Sequence, residues 1–268
     1  MKIVSFFNVK GGVGKTTLTI LTAIALEKEN KRILLIDADT QANLTQFTYK
    51  VNHDNYTMFY GLADNIPADE LIIKSPNKRY PNIDLIPSNL SLSVLNEYLT
   101  TKTNREKSVW RWFRNNISVL RNYDYIFVDL SPSYDLIARN FMIVSDSIIT
   151  PLSYQDIASI RGCELFYQKY NQDLRDMEME NTAKRAVIIN SHTTRRLSTG
   201  DIFNKKLKDF KMIQKDLLRS KISDTTVIKN AIINKMDIDD YCRKIRKPHK
   251  SRDEMKKVIR ELKEREVL

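Results

Sequence analysis

Cysteine is scarce in this chain: its 268 residues hold two, Cys163 and Cys242, far apart and without a C-x-x-C pair. That argues against a disulfide framework and against paired cysteine ligands for an iron–sulfur cluster. The three histidines, His53, His192 and His249, are scattered and offer no metal-ligand spacing. No run approaches 18 consecutive apolar residues, and the N-terminus enters an apolar strand pattern at once. Neither a transmembrane helix nor a signal peptide is therefore expected, and a cytoplasmic location is. Internal repeats and long low-complexity tracts are also lacking. With 42% hydrophobic residues, the length suffices for one large α/β core.

Acidic charge is lacking in one region only. Residues 1–194 carry 22 Lys and Arg against 21 Asp and Glu, whereas residues 195–268 carry 22 against 12, so nearly all of the net +11 is C-terminal. Such an asymmetry is the footprint of nucleic acid or an anionic membrane surface, or else a solvated helical face.

Apolar runs near 2–7, 31–37, 83–86, 124–130, 146–150, 185–190 and 216–222 alternate with helical patterns. This predicts an α/β fold with a doubly wound, mostly parallel sheet flanked by helices. Between the second and third runs, Asn52 to Pro81 reads as short helices and loops. Trp110 to Arg114 suggests a base-stacking platform, but Val109, Trp112, Phe113, Ile117 and Leu120 have the spacing of a core-facing helix.

The first strand runs into Asn8-Val9-Lys10-Gly11-Gly12-Val13-Gly14-Lys15-Thr16-Thr17, and a helical pattern follows from Leu18. Glycines at 11, 12 and 14 let the backbone fold so that several N–H groups face one anion, assisted by the helix N-terminus. Lys15 supplies a point charge to the outer phosphates, and Thr16 a hydroxyl suited to Mg²⁺. The segment reads as a nucleoside triphosphate loop. Asp37 and Asp39 end the second strand, where they face phosphates or cap a helix, and Asp129 ends the fourth, suited to reach Mg²⁺ through a water or to order the Thr16 hydroxyl. Asn190 ends the sixth, where its amide either reads an adenine edge or forms a turn.

Residues Lys10 to Thr17 match the pattern K-G-G-x-G-K-T-T without exception, and the chain thereby resembles the deviant Walker A ATPases. The resemblance implies a nucleotide site of Lys10, Gly11, Gly12, Val13, Gly14, Lys15, Thr16, Thr17 and Asn190, with catalytic roles for Lys10, Lys15 and Asp39. It also implies ATP with Mg²⁺ held by Thr16, Asp39 and Asp129, and an ATP-state homodimer in which Lys10 crosses to the partner's phosphates. Asp37 to Asn43 is similar to the family's D-x-D-P-Q-x-N, with Thr40 in place of proline, and Asp129 to Pro132 to its D-x-P-P, with Ser131 departing.

Within that family the chain looks most like ParA-type DNA segregation ATPases. This implies slow ATP hydrolysis stimulated by a ParB-like centromere-binding protein, nonspecific double-stranded DNA as a second partner, and nucleoid association. The whole of 1–268 is expected to be a single P-loop ATPase domain, basic from about 195 and without an N-terminal helix-turn-helix domain. Arg195 and Arg196 lie where the shorter members hold DNA, with Arg219, Lys221 and Lys229 substituting at a second position. The alternative is a MinD-like membrane-positioning ATPase using the segment Arg252 to Leu268. Its Met255, Val258, Ile259 and Leu262 mark one apolar face, but Glu254, Glu261, Glu264 and Glu266 oppose anionic lipid, so a helix packed on the core is expected instead, and no stable membrane association.

Overall fold

The computed structural model describes residues 1–48, 56–192 and 198–268, so Arg195 and Arg196 lie outside the described residues. Seven strands form one parallel sheet: β1 (Lys2–Phe6), β2 (Ile33–Ala38), β3 (Ile83–Ile86), β4 (Tyr125–Leu130), β5 (Ser147–Ser153), β6 (Lys184–His192) and β7 (Leu217–Ser223). Their spatial order is β3-β2-β4-β1-β5-β6-β7. Each apolar run expected as a strand is one; β1 to β5 are almost wholly buried because helices cover both faces, while the edge strand β7 is part-exposed.

The first half contributes α1 (Lys15–Glu27), α2 (Asn43–Thr48), α3 (Met58–Ala63), α4 (Ala68–Leu71), α5 (Leu95–Thr100), α6 (Ser108–Asn115) and α7 (Ile117–Leu120). The second half adds α8 (Leu136–Val144), α9 (Ala158–Asp176), α10 (Ser198–Asp209), α11 (Lys211–Gln214), α12 (Thr226–Ile233), α13 (Ile238–Lys244) and α14 (Ser251–Glu264). Alternation along β2 sends Leu34 and Ile36 into a core shared with α6, α8 and α9, and Ile33 and Leu35 into a second core under α1 and α14.

The expected face of α6 holds for Val109, Trp112, Phe113 and Leu120, all buried, but fails at Ile117, which is 47% exposed. Asn116 causes the failure. Its side chain donates to Trp112 O at 2.9 Å and accepts from Ala68 N at 2.8 Å, ending α6 in a non-helical conformation before α7 starts on a new phase. Trp110 is exposed beneath the Arg114 guanidinium, 4.8 Å from the ring centre, while Trp112 packs and donates to Ile66 O.

Helix α14 is the core-packed helix the pattern called for: Met255, Val258, Ile259 and Leu262 are buried. Its glutamates also close the open edge of the sheet. Glu261 accepts from the backbone N–H groups of Arg219 and Ser220, both at 2.9 Å, and Glu254 accepts from Ser223 N at 2.9 Å and its hydroxyl at 2.7 Å. Unpaired edge N–H groups invite pairing with another chain, and these carboxylates occupy them. Glu261→Ala is accordingly expected to cost about 2 kcal/mol, because charge-assisted bonds to two backbone donors are lost together. Urea unfolding checks this; an unchanged midpoint removes the capping role.

Candidate nucleotide site

The strand order reverses direction between β1 and β4, since the chain leaves β1 toward β2 and leaves β4 toward β5. Ligands of open parallel sheets bind beyond the strand ends at such a point. Register then assembles the site: Phe6 pairs with Asp129, and Asp129 with Asp37, so the loop after β1 meets two carboxylates on adjacent strands.

The loop from Gly11 to Gly14 leads into α1. Gly12 and Gly14 have φ of +75° and +94°, a left-handed conformation that side chains resist. At Gly14 a Cβ would also sit 2.1 Å from Asn190 Nδ2. Lys15 begins α1 and is 7% exposed, its Nζ 3.4 Å from Asn8 O. Burial lowers the Lys15 pKa, and the carboxylates of Asp129 and then Asp39 oppose that shift. Thr16 and Thr17 follow within the first turn of α1, and Val13 is buried with its carbonyl turned to Asn190.

Asp129 is fully buried, and neither carboxylate oxygen makes a hydrogen bond of normal geometry. Burial first, and Asp37 second, push its pKa well above the ordinary carboxylate value; Thr16 and Lys15 only partly offset them. An orphaned buried carboxylate beside a threonine hydroxyl fits a hard cation with oxygen ligands. Among the described residues, however, no three His, Cys, Asp or Glu side chains gather into a metal-holding group. The donor set therefore suits Mg²⁺, which takes one or two carboxylates and completes its shell with phosphate oxygens and water.

Asp37 and Asp39 divide their tasks. Asp37 is spent on the first turn of α2, accepting from Thr45 N at 2.8 Å and Thr45 Oγ1 at 2.7 Å, and burial pushes its pKa to about 6. It acts as the cap that a strand-end carboxylate can be, while its charge also raises the pKa of neighbouring Asp129. Asp39 lies at the loop side, its Oδ1 accepting from Gln41 N at 3.0 Å.

Asn190 lies within β6, and its amide nitrogen donates to Val13 O at 2.9 Å. The side chain braces the phosphate loop and is not a turn former. Sequence reasoning passed over a second brace, Asn8. Fully buried, it donates to Pro151 O at 2.9 Å and Ser159 O at 3.1 Å and accepts from Lys10 N at 2.9 Å, pinning the loop entry to β5 and α9. Its signal was only an Asn at a strand end. Lys10 is half-exposed, its Nζ 3.3 Å from Asp156 of its own chain.

The basic candidates lie elsewhere. Arg219 and Lys221 are on the edge strand β7, and Lys229 is exposed on α12, 3.5 Å from Asp224. Arg219 shares a shallow hollow of about 360 Å³ with Lys257, Arg260 and Arg265. A separate groove of about 480 Å³ runs between α1 and α14, remote from the phosphate loop and crossed by the Lys28–Asp237 and Lys263–Glu29 ion pairs.

A family model described as AAA domain matches residues 1–184. An uncharacterized protein of Mycobacterium tuberculosis is 29% identical over 211 residues, which cover 78% of this chain and 64% of that protein. The sporulation initiation inhibitor protein Soj of Bacillus subtilis is 34% identical over 152 residues, covering 56% of this chain and 58% of its own. The chain thus spans less than two-thirds of the length of either relative. Among solved structures, a putative plasmid partition protein of Borrelia burgdorferi bound to AMPPNP is 27% identical, with a TM-score of 0.69 over 90% of this chain and 95% of that one. A phosphate loop at the switch point of a parallel sheet, a family match over more than half the chain and these likenesses agree: the chain belongs to the AAA domain family of P-loop ATPases, in its ParA-type branch.

Proposed function

We propose that this chain is a single-domain partition ATPase that binds ATP with Mg²⁺, dimerises in that state, holds duplex DNA without sequence preference, and hydrolyses ATP slowly until a ParB-like centromere-binding protein stimulates it. The observation that carries the reading is Asp129, a buried carboxylate beside the phosphate loop whose oxygens make no hydrogen bond of normal geometry. Such a group is costly unless a cation completes it. Thr16, Asp39 and Asp129 would hold Mg²⁺, which when bound neutralises charge on the phosphate oxygens. The N–H groups from Gly11 to Thr16 cradle the phosphates, and Lys15 neutralises charge that grows on them during transfer. Asp39 orients the attacking water. Lys10 reaches the second protomer's phosphates, and Asn190 keeps the loop in shape for the adenine side of the site.

The relatives' printed functions, sporulation control and plasmid partition, support a segregation role. The C-terminal charge supports nucleic acid as the surface on which it acts, in the cytoplasm at the nucleoid. The membrane-positioning alternative needs an apolar face on α14 free for lipid, and that face is buried. Among the described residues no helix is long and apolar enough to cross a membrane.

Filter binding of duplex DNA with ATP over a salt series tests the reading. Counterion release makes log affinity fall linearly with log salt, and each phosphate contact removed flattens the slope by about 0.9. Replacing Arg219, Lys257 and Arg260 together by alanine is expected to flatten it by up to about 2.7. Salt-independent binding, or the same affinity with and without ATP, rejects the proposal. ATP-dependent sedimentation with anionic liposomes in place of DNA would favour the membrane reading.

A further inference from the structure

The turn between β5 and α9 touches both surfaces that the proposed function uses. On one side, Asp156 Oδ2 lies 3.3 Å from Lys10 Nζ. On the other, Gln155 Nε2 donates to Asp224 Oδ2 at 2.8 Å, and Asp224 Oδ1 lies 3.5 Å from Lys229 Nζ. Asp156 is held in place at the head of α9. Its Oδ1 accepts from Ala158 N at 2.9 Å, its own N–H donates to Ser153 O at 3.0 Å, and its carbonyl accepts from Ser159 N at 3.0 Å. The loop entry lies tightly against that helix: a Cβ on Gly162 would come 2.7 Å from Asn8 Oδ1 and 3.0 Å from Val9 Cγ2. A fixed carboxylate therefore waits beside a flexible lysine.

We propose that this turn is a cis latch. Asp156 keeps Lys10 within its own chain and so raises the ATP concentration needed for dimerisation, while Asp224, tied to the same turn by Gln155, screens Lys229 from DNA. The inference rests on the function proposed above, in which Lys10 serves the partner's phosphates. One ammonium cannot satisfy Asp156 and a triphosphate in another chain at once, so the two states compete. The Lys10 and Asp156 side chains are 44% and 37% exposed, which keeps the latch weak enough to open. An ion pair at that exposure favours its closed state by a factor of about 1.4 to 5. A two-fold dimer opens two of them, so removing the carboxylate is expected to strengthen association about 2- to 25-fold.

The test compares wild type with Asp156→Asn, Asp224→Asn and Asp69→Asn, the last an equal change of charge on α4. Light scattering during an ATP titration reads dimerisation, and filter binding without nucleotide reads DNA affinity. Asp156→Asn is expected to reach half-dimer at lower ATP than wild type. Asp224→Asn is expected to dimerise at the wild-type ATP concentration yet bind DNA more tightly than Asp69→Asn in the absence of nucleotide. The latch is overturned if Asp156→Asn needs as much ATP as wild type or more, or if Asp224→Asn binds DNA no better than Asp69→Asn. Should wild type itself neither dimerise with ATP nor bind DNA, the proposed function falls, and the latch with it.

Discussion

Lys15→Ala is expected to reduce ATP turnover by at least about 100-fold, because removing a single preorganised charge partner of a transferring group costs 10²–10³ in rate. Lys15 starts α1 at the end of the phosphate loop, and its ammonium is buried between the carbonyl of Asn8 and the carboxylates of Asp129 and Asp39. Alanine removes the cation from the phosphates and from those carboxylates together. Nucleotide affinity, read by equilibrium dialysis, drops with turnover, whereas Asp39→Ala keeps ATP and loses cleavage. Unchanged turnover and affinity in Lys15→Ala would remove Lys15 from the site.

Asp129→Asn is expected to move stability and activity in opposite directions. Burial raises the Asp129 pKa above its unfolded value, so its contribution to stability is intact below about pH 4 and is lost as pH rises through the folded pKa. Asparagine has the same shape and no charge, so nucleotide-free Asp129→Asn melts several degrees above wild type at pH 8, and the gain vanishes toward pH 4. Asp37 adds a slope of the same sign between about pH 4 and pH 6, because burial lifts its pKa to about 6, and the substitution leaves Asp37 in place. Turnover with ATP and Mg²⁺ is expected to be lost, since the buried carboxylate is retained against its cost to the fold. Calorimetry at three pH values with a phosphate-release assay checks both halves. A variant less stable than wild type at pH 8 would show that Asp129 is already satisfied within the protein.

Much of this protein was legible because its chemistry is local. The loop from Lys10 to Thr17 is one continuous segment whose glycines, lysines and threonine need no distant partner to be read. The apolar runs specified the strands, and those inside the sheet are buried, since a strand covered on both faces must be apolar throughout. The heptad-like spacing of Met255, Val258, Ile259 and Leu262 likewise determined that α14 packs inward. Tertiary structure decided the rest, because polar side chains choose partners that spacing does not encode. Asn190 braces Val13 across 177 residues of chain, and Asn8 reaches Pro151 across 143. Asp37 and Asp39 look equivalent in sequence, yet only the placement of Thr45 turns one of them into a cap. The glutamates of α14 read as a defence against lipid, and the fold uses two of them to close a sheet edge. Lys10 has a carboxylate beside it only because β5 and α9 bring Asp156 there. Local pattern fixes which segments are buried and which residues can carry charge; three-dimensional juxtaposition alone fixes which charge meets which.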